Sequence, residues 1–359
     1  MKKTLSPAGQ EAEVAAAPTI SCLIPVYNGE RYLELALDSV LGQSFGDFEL
    51  VAVDDGSSDS SNAILKRYAA TDSRIRIIEK PNGGIVSALN LGLEHCRGQY
   101  VARMDCDDIA TPERFEIQME VFDKHSDAVA VGGLIQLIDG EGQGMSAPGS
   151  PSRVSRTRLD VFPPVVANVQ HSAGTFLKRA MDTVGGYRSN FPHAEDYDLY
   201  LRLAEHGRFY NPGKLVLYYR VHPGSLSMKN LECQETSAVL AELSAYARRS
   251  RMEDPGDAEE PLGLDEYASR LGALCPQDTI RRYIDFRLWR RLMGARDPDA
   301  AAFQRRVLNG LLDPRCYRRP MDRKLNRRIT LSLGRKLLRT LRYEPVRLLG
   351  RRKPMKLAK

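Results

Sequence analysis

Paired cysteines are the first thing this chain lacks. Its six cysteines, Cys22, Cys96, Cys106, Cys233, Cys275 and Cys316, are scattered, with no Cys-x-x-Cys spacing. That argues against a zinc site or a disulfide framework and favours a reducing, cytoplasmic compartment. Long apolar runs are missing too. The most apolar stretch, "AVAVGGLIQLI" from Ala128 to Ile138, falls far short of the roughly 20 residues that cross a bilayer. The N-terminal "MKKTLSPAGQEAEVAAAPT" has acids at Glu11 and Glu13 that interrupt any apolar segment, so residues 1–17 read as a disordered leader rather than a signal peptide. There is no P-loop, no Gly-x-Gly-x-x-Gly and no His-Glu-x-x-His, which counts against ATPase, dehydrogenase and zinc-protease chemistries. No internal repeat is visible.

What is present is an ordinary globular composition over 359 residues, enough for one large core with appendages or for two domains. The charge is uneven. From Arg315 to Lys359 there are 17 Lys and Arg against two acids, so a net charge of +6 for the whole chain leaves about −9 on residues 1–314. An acidic body with a basic tail implies that the tail has its own electrostatic partner.

The first hundred residues alternate buried strands with amphipathic helices. "TISCLIPVY" is an apolar run ending at a turn, and "ERYLELALDSVLGQS" repeats Leu33, Leu37, Val40 and Leu41 on one helical face, with Asn28 as a candidate cap. "FELVAVDDGSSD", "IRIIEK" and "QYVARMD" read as further strands, separated by the helical patterns "SNAILKRYAA" and "GIVSALNLGLEHC". The order predicts an α/β fold, a mostly parallel sheet flanked by helices. In such sheets the ligand crevice lies beyond the carboxyl ends of the strands. Three polar clusters, "PVYNG", "VDDGSS" and "MDCDD", fall there. Further on, "AVAVGGLIQLID" reads as a strand pair broken by Gly132 and Gly133, residues 140–153 as an exposed loop, and "EDYDLYLRLAEHG" as a helix closed by Gly207. From about Leu231 the chain turns to amphipathic helices.

The acidic cluster poses a physical problem. Asp105, Asp107 and Asp108 crowd three carboxylates into four positions, and each raises the cost of ionising its neighbours unless a cation sits between them. The alternatives are turn and capping residues ahead of Pro112, or a bound cation.

Five segments, "SCLIPVYNGERYLELALDSVLGQSFGDFELVAVDDGSSDSS", "NGGIVSALNLGL", "ARMDCDDIATPERFEIQ", "HAEDYDLYLRLAEHG" and "YYRVHPGSLS", resemble in order and spacing a family-2 glycosyltransferase of GT-A fold, over about residues 18–228. The resemblance implies a GT-A domain at 18–230; beyond it lie a helical region at 231–314 and the basic amphipathic tail at 315–359. The helical region and the tail are read from their own periodicity and charge, since the resemblance stops near residue 230. The resemblance implies an inverting transfer of sugar from a nucleoside-diphosphate donor, most simply a UDP-sugar, with dTDP- and GDP-sugars as alternatives, to a glycan or lipid-linked saccharide. It lays Pro25, Val26 and Tyr27 along the nucleobase, puts Asp55 at the base edge, and brings Asn82 and Gly83 near the nucleotide. It reads Asp105, Asp107 and Asp108 as the DxD-type motif. Asp107 would touch a Mn²⁺ or Mg²⁺ ion directly, and Asp105 would lie on the ribose or sugar side as a further candidate ligand. Arg220 would pair with phosphate oxygens, and His222 would do the same or ligate the metal. Arg103 would face the donor phosphates or a structural acid. Asp196 is the implied general base, with Glu195 second, while Asp198 is read as compensating the helix dipole. No Gln-x-x-Arg-Trp motif is present, which counts against a processive membrane polymerase. A contrasting class is a non-catalytic sugar-nucleotide binder tethered for assembly.

In the tail, Leu325, Ile329, Leu333, Leu337 and Leu341 recur every four residues among Arg and Lys. A basic amphipathic helix can lie on an anionic membrane surface or dock on the acidic body. No nucleic-acid reader fold accompanies the charge, which argues against nucleic acid.

Overall fold

The structure, a computed structural model, describes residues 17–145, 169–222, 231–258, 260–271, 277, 280–281 and 283–288. The leader, residues 146–168 (which include most of the expected exposed loop), the end of "YYRVHPGSLS" after His222 and the basic tail lie outside the described residues. In chain order the elements are β1 (Ile20–Val26), α1 (Leu33–Leu41), β2 (Phe48–Asp54), α2 (Ser61–Ala69), β3 (Ile75–Glu79), α3 (Gly84–His95), β4 (Tyr100–Arg103), β5 (Ile109–Ala110) and α4 (Arg114–Lys124). They continue as β6 (Ala128–Val131), β7 (Leu134–Ile138), β8 (Thr175–Leu177), α5 (Lys178–Thr183), α6 (Glu195–Leu203), β9 (Arg208–Tyr210), β10 (Leu215–Arg220), α7 (Leu231–Arg249) and α8 (Leu264–Leu271). The chain divides into two compact units, and the segment Tyr187–Glu205, which carries α6, belongs with α7 and α8.

The first unit holds a seven-stranded sheet of order β3-β2-β1-β4-β8-β6-β9. β1 pairs in parallel with β2 and β4, and β2 with β3, while β8 runs antiparallel between β4 and β6. Every residue of β1 and β2 is buried. A strand covered on both faces has no solvated side to alternate with its apolar one, which is why these two read as mostly apolar runs, broken by Ser21, Glu49 and the terminal Asp54. α3 packs closely against them at Gly92, where an added Cβ would overlap Leu23 Cδ1 and come within 2.9 Å of Val53 Cγ2. A second sheet has the order β5-β10-β7.

Three local expectations change. β6 and β7 are both strands, but they do not pair with each other; each joins a different sheet. Gly133 would drive a Cβ into Val216, so the break allows a close crossing rather than a hairpin turn. Asn28 does not cap α1, whose N-terminal neighbour Tyr32 has no side-chain cap. It sits at φ 51° and its Oδ1 accepts the Ser58 N–H at 2.8 Å, pinning the turn after β2. Gly207 does not close α6 in a left-handed cap. A Cβ there would clash with Val129 and lie 2.7 Å from the Asp127 carbonyl, so the residue is small because β6 passes beside it.

The second unit packs Phe191, Leu201, Val239, Leu243, Tyr267 and Phe286 into its own apolar cluster. Beside that core lies a buried ionic network. Asp198 accepts from Arg188 and Arg202, and Arg188 also reaches Asp254 at 3.0 Å and Ser244 Oγ at 2.9 Å. Arg248 bonds Asp254 at 2.6 Å. Asp198 is therefore an ion-pair centre, not merely a first-turn charge. Among the described residues no helix is long and apolar enough to cross a membrane.

Candidate active site

Parallel pairing of β1, β2 and β4 brings their carboxyl ends to one edge of the sheet. Beyond β1, Tyr27 is 54% exposed after the buried Pro25 and Val26, a placement that leaves an aromatic face available for stacking. Beyond β2 the two aspartates divide the work. Asp54 caps its own turn, accepting from Ser57 N–H at 2.9 Å and Asn62 Nδ2 at 2.7 Å. The Asp55 carboxylate is buried, and it accepts the Gly83 and Gly84 N–H groups at 2.9 Å each and Lys80 Nζ at 2.5 Å. Gly83 and Gly84, directly after Asn82, are thus held against Asp55 by main-chain bonds. Gly56, at φ +73°, allows the approach, since a Cβ there would lie 2.7 Å from Asn82 N. Lys80 is thus the ion-pair partner of Asp55.

Beyond β4 lies the acidic loop. Arg103 ends the strand and holds Asp105 through two nitrogens, each at 2.6 Å. Ser172 Oγ accepts the Asp105 N–H at 2.9 Å. One ligand-capable oxygen from each of Asp105, Asp107 and Asp108 lies within 4.8 Å of the others. Burial raises Asp107 above the usual carboxylate range, helped by the charge of Asp105 and opposed by His222. Burial raises Asp108 well above it, with Asp105 and Asp107 adding to the effect. Asp108 Oδ1 accepts the Arg220 N–H at 2.8 Å, while its Oδ2 is buried with no hydrogen-bond partner among the described residues. His222 Nε2 stands 3.0 Å from Asp107 Oδ2. Crowded hard oxygens, an orphaned buried carboxylate oxygen and an adjacent imidazole form a donor set that fits Mg²⁺ or Mn²⁺. Cys106, between the acids, packs on the loop after β1: a Cβ at Gly29 would lie 2.8 Å from its Sγ. Burial, with Asp107 and Asp105 alongside, pushes its thiol up, so the sulfur stays protonated and acts as packing.

Arg220 is 2% exposed. Its Nε donates to the Asp107 carbonyl at 2.8 Å, and its Nη1 to the Asp139 and Gly140 carbonyls at 3.1 and 3.4 Å. Glu195 and Asp196 head α6 in the second unit, and Asp196 Oδ1 accepts the Tyr197 N–H at 2.7 Å. Tyr197 donates in turn to Glu242, at 2.9 Å, which ties the start of α6 to α7.

Sequence reasoning missed Ser172, Tyr32, Arg188 and the Arg114–Gln118 pair. Arg114 is wholly buried and donates through Nη2 to the Arg103 carbonyl at 2.8 Å, and Gln118 Nε2 donates to the Ala173 carbonyl at 2.8 Å. Burial lowers the Arg114 guanidinium to about 10. Their i,i+4 spacing in "ERFEIQ" was the one available signal; Ser172 left none.

Residues 21–185 match the family model "Glycosyl transferase family 2". They form a family-2 glycosyltransferase domain. Among curated proteins, the chain is similar to chondroitin synthase of Escherichia coli, 32% identical over 226 residues, which is 63% of this chain and 32% of that protein. It is 28% identical to hyaluronan synthase of Pasteurella multocida over 226 residues, 63% of this chain and 23% of that protein. The chain thus spans a quarter to a third of the length of these relatives. Among solved structures, that of S. aureus TarS 1–349 in complex with UDP-GlcNAc aligns with a TM-score of 0.50 at 17% identity, covering 81% of this chain and 88% of that one. The fold of the glycosyltransferase domain is GT-A.

Proposed function

We propose that this protein transfers a sugar from a nucleoside-diphosphate donor, most simply a UDP-sugar, to a hydroxyl of a glycan or lipid-linked saccharide, with inversion. The observation that carries the reading is the acidic cluster beyond β4, in which three carboxylates crowd together, Asp105 and Asp107 half-buried and Asp108 buried with one oxygen unbonded among the described residues. Relatives named as chondroitin and hyaluronan synthases, and a neighbouring structure that holds UDP-GlcNAc, support the donor class.

In this reading Tyr27 stacks on the nucleobase, an aromatic contact worth about 1–3 kcal/mol per base. Asp55 keeps the loop at Asn82 and Gly83 in register beside it. Asp107, with Asp105 and His222, holds a divalent cation, which when bound neutralises the charge of the diphosphate. Asp196 accepts the proton of the acceptor hydroxyl, with Glu195 as the second candidate. The hydroxyl oxygen bonds to the anomeric carbon, the bond from that carbon to the diphosphate oxygen breaks, and the nucleoside diphosphate departs with the electron pair. The basic residues 315–359, outside the described residues, favour an acceptor presented at an anionic membrane surface.

Calorimetric titration of UDP, dTDP, GDP and ADP, with and without Mn²⁺, tests the site. UDP is expected to bind selectively and only with metal, and Asp107→Ala to weaken it at least about tenfold. Binding that ignores both Mn²⁺ and Asp107 would return the acidic cluster to turn chemistry.

A further inference from the structure

We infer that Arg220 and Tyr32 are positioning residues, which hold the acidic loop in the shape a divalent cation requires, and that Arg220 does not bind the donor phosphates. This rests on the cation reading above and deepens it. Arg220 closes β10, where it pairs with Ile138 of β7. From there it joins three segments that are distant in sequence. Its main-chain N–H fixes Asp108 Oδ1 at 2.8 Å and its Nε fixes the carbonyl of Asp107 at 2.8 Å. Its Nη1 holds the turn at Asp139 and Gly140. Its guanidinium carbon lies 4.4 Å from the centroid of the Tyr32 ring, just ahead of α1. The same ring lies 5.2 Å from that of His222, whose Nε2 meets Asp107 Oδ2. The Asp108 carboxylate, the main chain at Asp107 and the His222 ring therefore all meet one Arg–Tyr unit.

A phosphate would have to reach this guanidinium through buried surroundings. The one nitrogen without a partner among the described residues, Nη2, is itself buried. The charge also points away from direct binding of the cation, because a guanidinium repels a divalent ion placed beside it. What Arg220 contributes is a rigid planar fork whose donors aim in several fixed directions, which an ammonium cannot copy. Tyr32 acts through its ring, since its hydroxyl is buried with no partner among the described residues.

The test is Mn²⁺ binding to the full chain without nucleotide, followed by electron paramagnetic resonance of the free ion, for wild type, Arg220→Lys and Tyr32→Leu. UDP affinity at saturating Mn²⁺ is measured alongside. Arg220→Lys keeps the charge and loses the fork. Both variants are expected to bind Mn²⁺ tenfold or more weakly, with UDP affinity recovering toward wild type as Mn²⁺ is raised. Wild-type Mn²⁺ binding in both variants overturns the inference, and an Arg220→Lys that keeps Mn²⁺ but loses UDP makes Arg220 a phosphate ligand instead. If Arg220→Lys fails to fold by circular dichroism, Tyr32→Leu decides by the same criterion. A wild-type chain that takes up no Mn²⁺ fails earlier, at the cation itself, and removes both readings.

Discussion

Replacing Asp198 with Asn separates two physical roles by size. As a first-turn acid compensating the dipole of α6, Asp198 would contribute about 0.3–1 kcal/mol. The structure gives it a different environment. The residue is fully buried, and its carboxylate accepts from Arg202 Nε at 2.9 Å and Nη2 at 2.7 Å, from Arg188 Nε at 3.1 Å, and also from Arg188 Nη2. The two arginine side chains are only 12% and 6% exposed. Asn keeps the shape but removes the charge and turns an amide N–H₂ toward one guanidinium. Breaking a buried ion pair from one side costs about 3–5 kcal/mol, because the remaining charge stays desolvated. Arg188 retains Asp254 and Asp257, which places the expected loss near the lower end, about 3 kcal/mol. Urea unfolding followed by far-UV circular dichroism reads it as a fall in midpoint at unchanged slope. A loss below about 1 kcal/mol would refute the network and restore the dipole explanation.

Asp196→Asn, two positions earlier, should behave in the opposite way: nucleotide release in a transfer assay falls by about 10²–10⁴, while UDP affinity by calorimetry is unchanged. Parallel loss of binding would remove the base assignment. In the same network Asp254 gives a pH signature. Burial would raise its carboxyl, but Arg188, Ser244 and Arg248 outweigh burial and hold it down at about 2. A depressed folded-state pKa adds stability above the unfolded value of about 4, and that stability is lost as pH falls toward 2. The difference between wild type and Asp254→Asn in unfolding free energy from urea titrations should therefore shrink by about 2 kcal/mol between pH 5 and pH 2; a difference constant with pH would contradict it. In the first unit, Gly92→Ala forces a methyl into Leu23 and Val53 and should cost about 1–3 kcal/mol, visible as a lowered thermal midpoint.

The alternation of β1 to β4 with α1 to α3 was legible because deep burial leaves strands such as β1 and β2 mostly apolar, and one-sided burial leaves helices periodic. Both are local consequences of burial, readable within ten residues. The polar clusters at Tyr27, Asp55 and Asp105 were legible for the same reason: they interrupt apolar runs at strand ends, where a parallel sheet collects them along one edge. Partner choice across long separations was not. Nothing near Asp198 in the chain names Arg188 and Asp254 as its neighbours, and nothing near Arg220 names Tyr32 or the carbonyls of Asp107 and Asp139. β6 and β7 read as a pair because they are adjacent, yet they are drawn into different sheets by strands β8 and β10. Whether a charged side chain is a solvated surface group, a buried ion pair or a support for other residues depends on how much water the packed neighbours exclude. That quantity belongs to the assembled chain, and no short window of residues contains it.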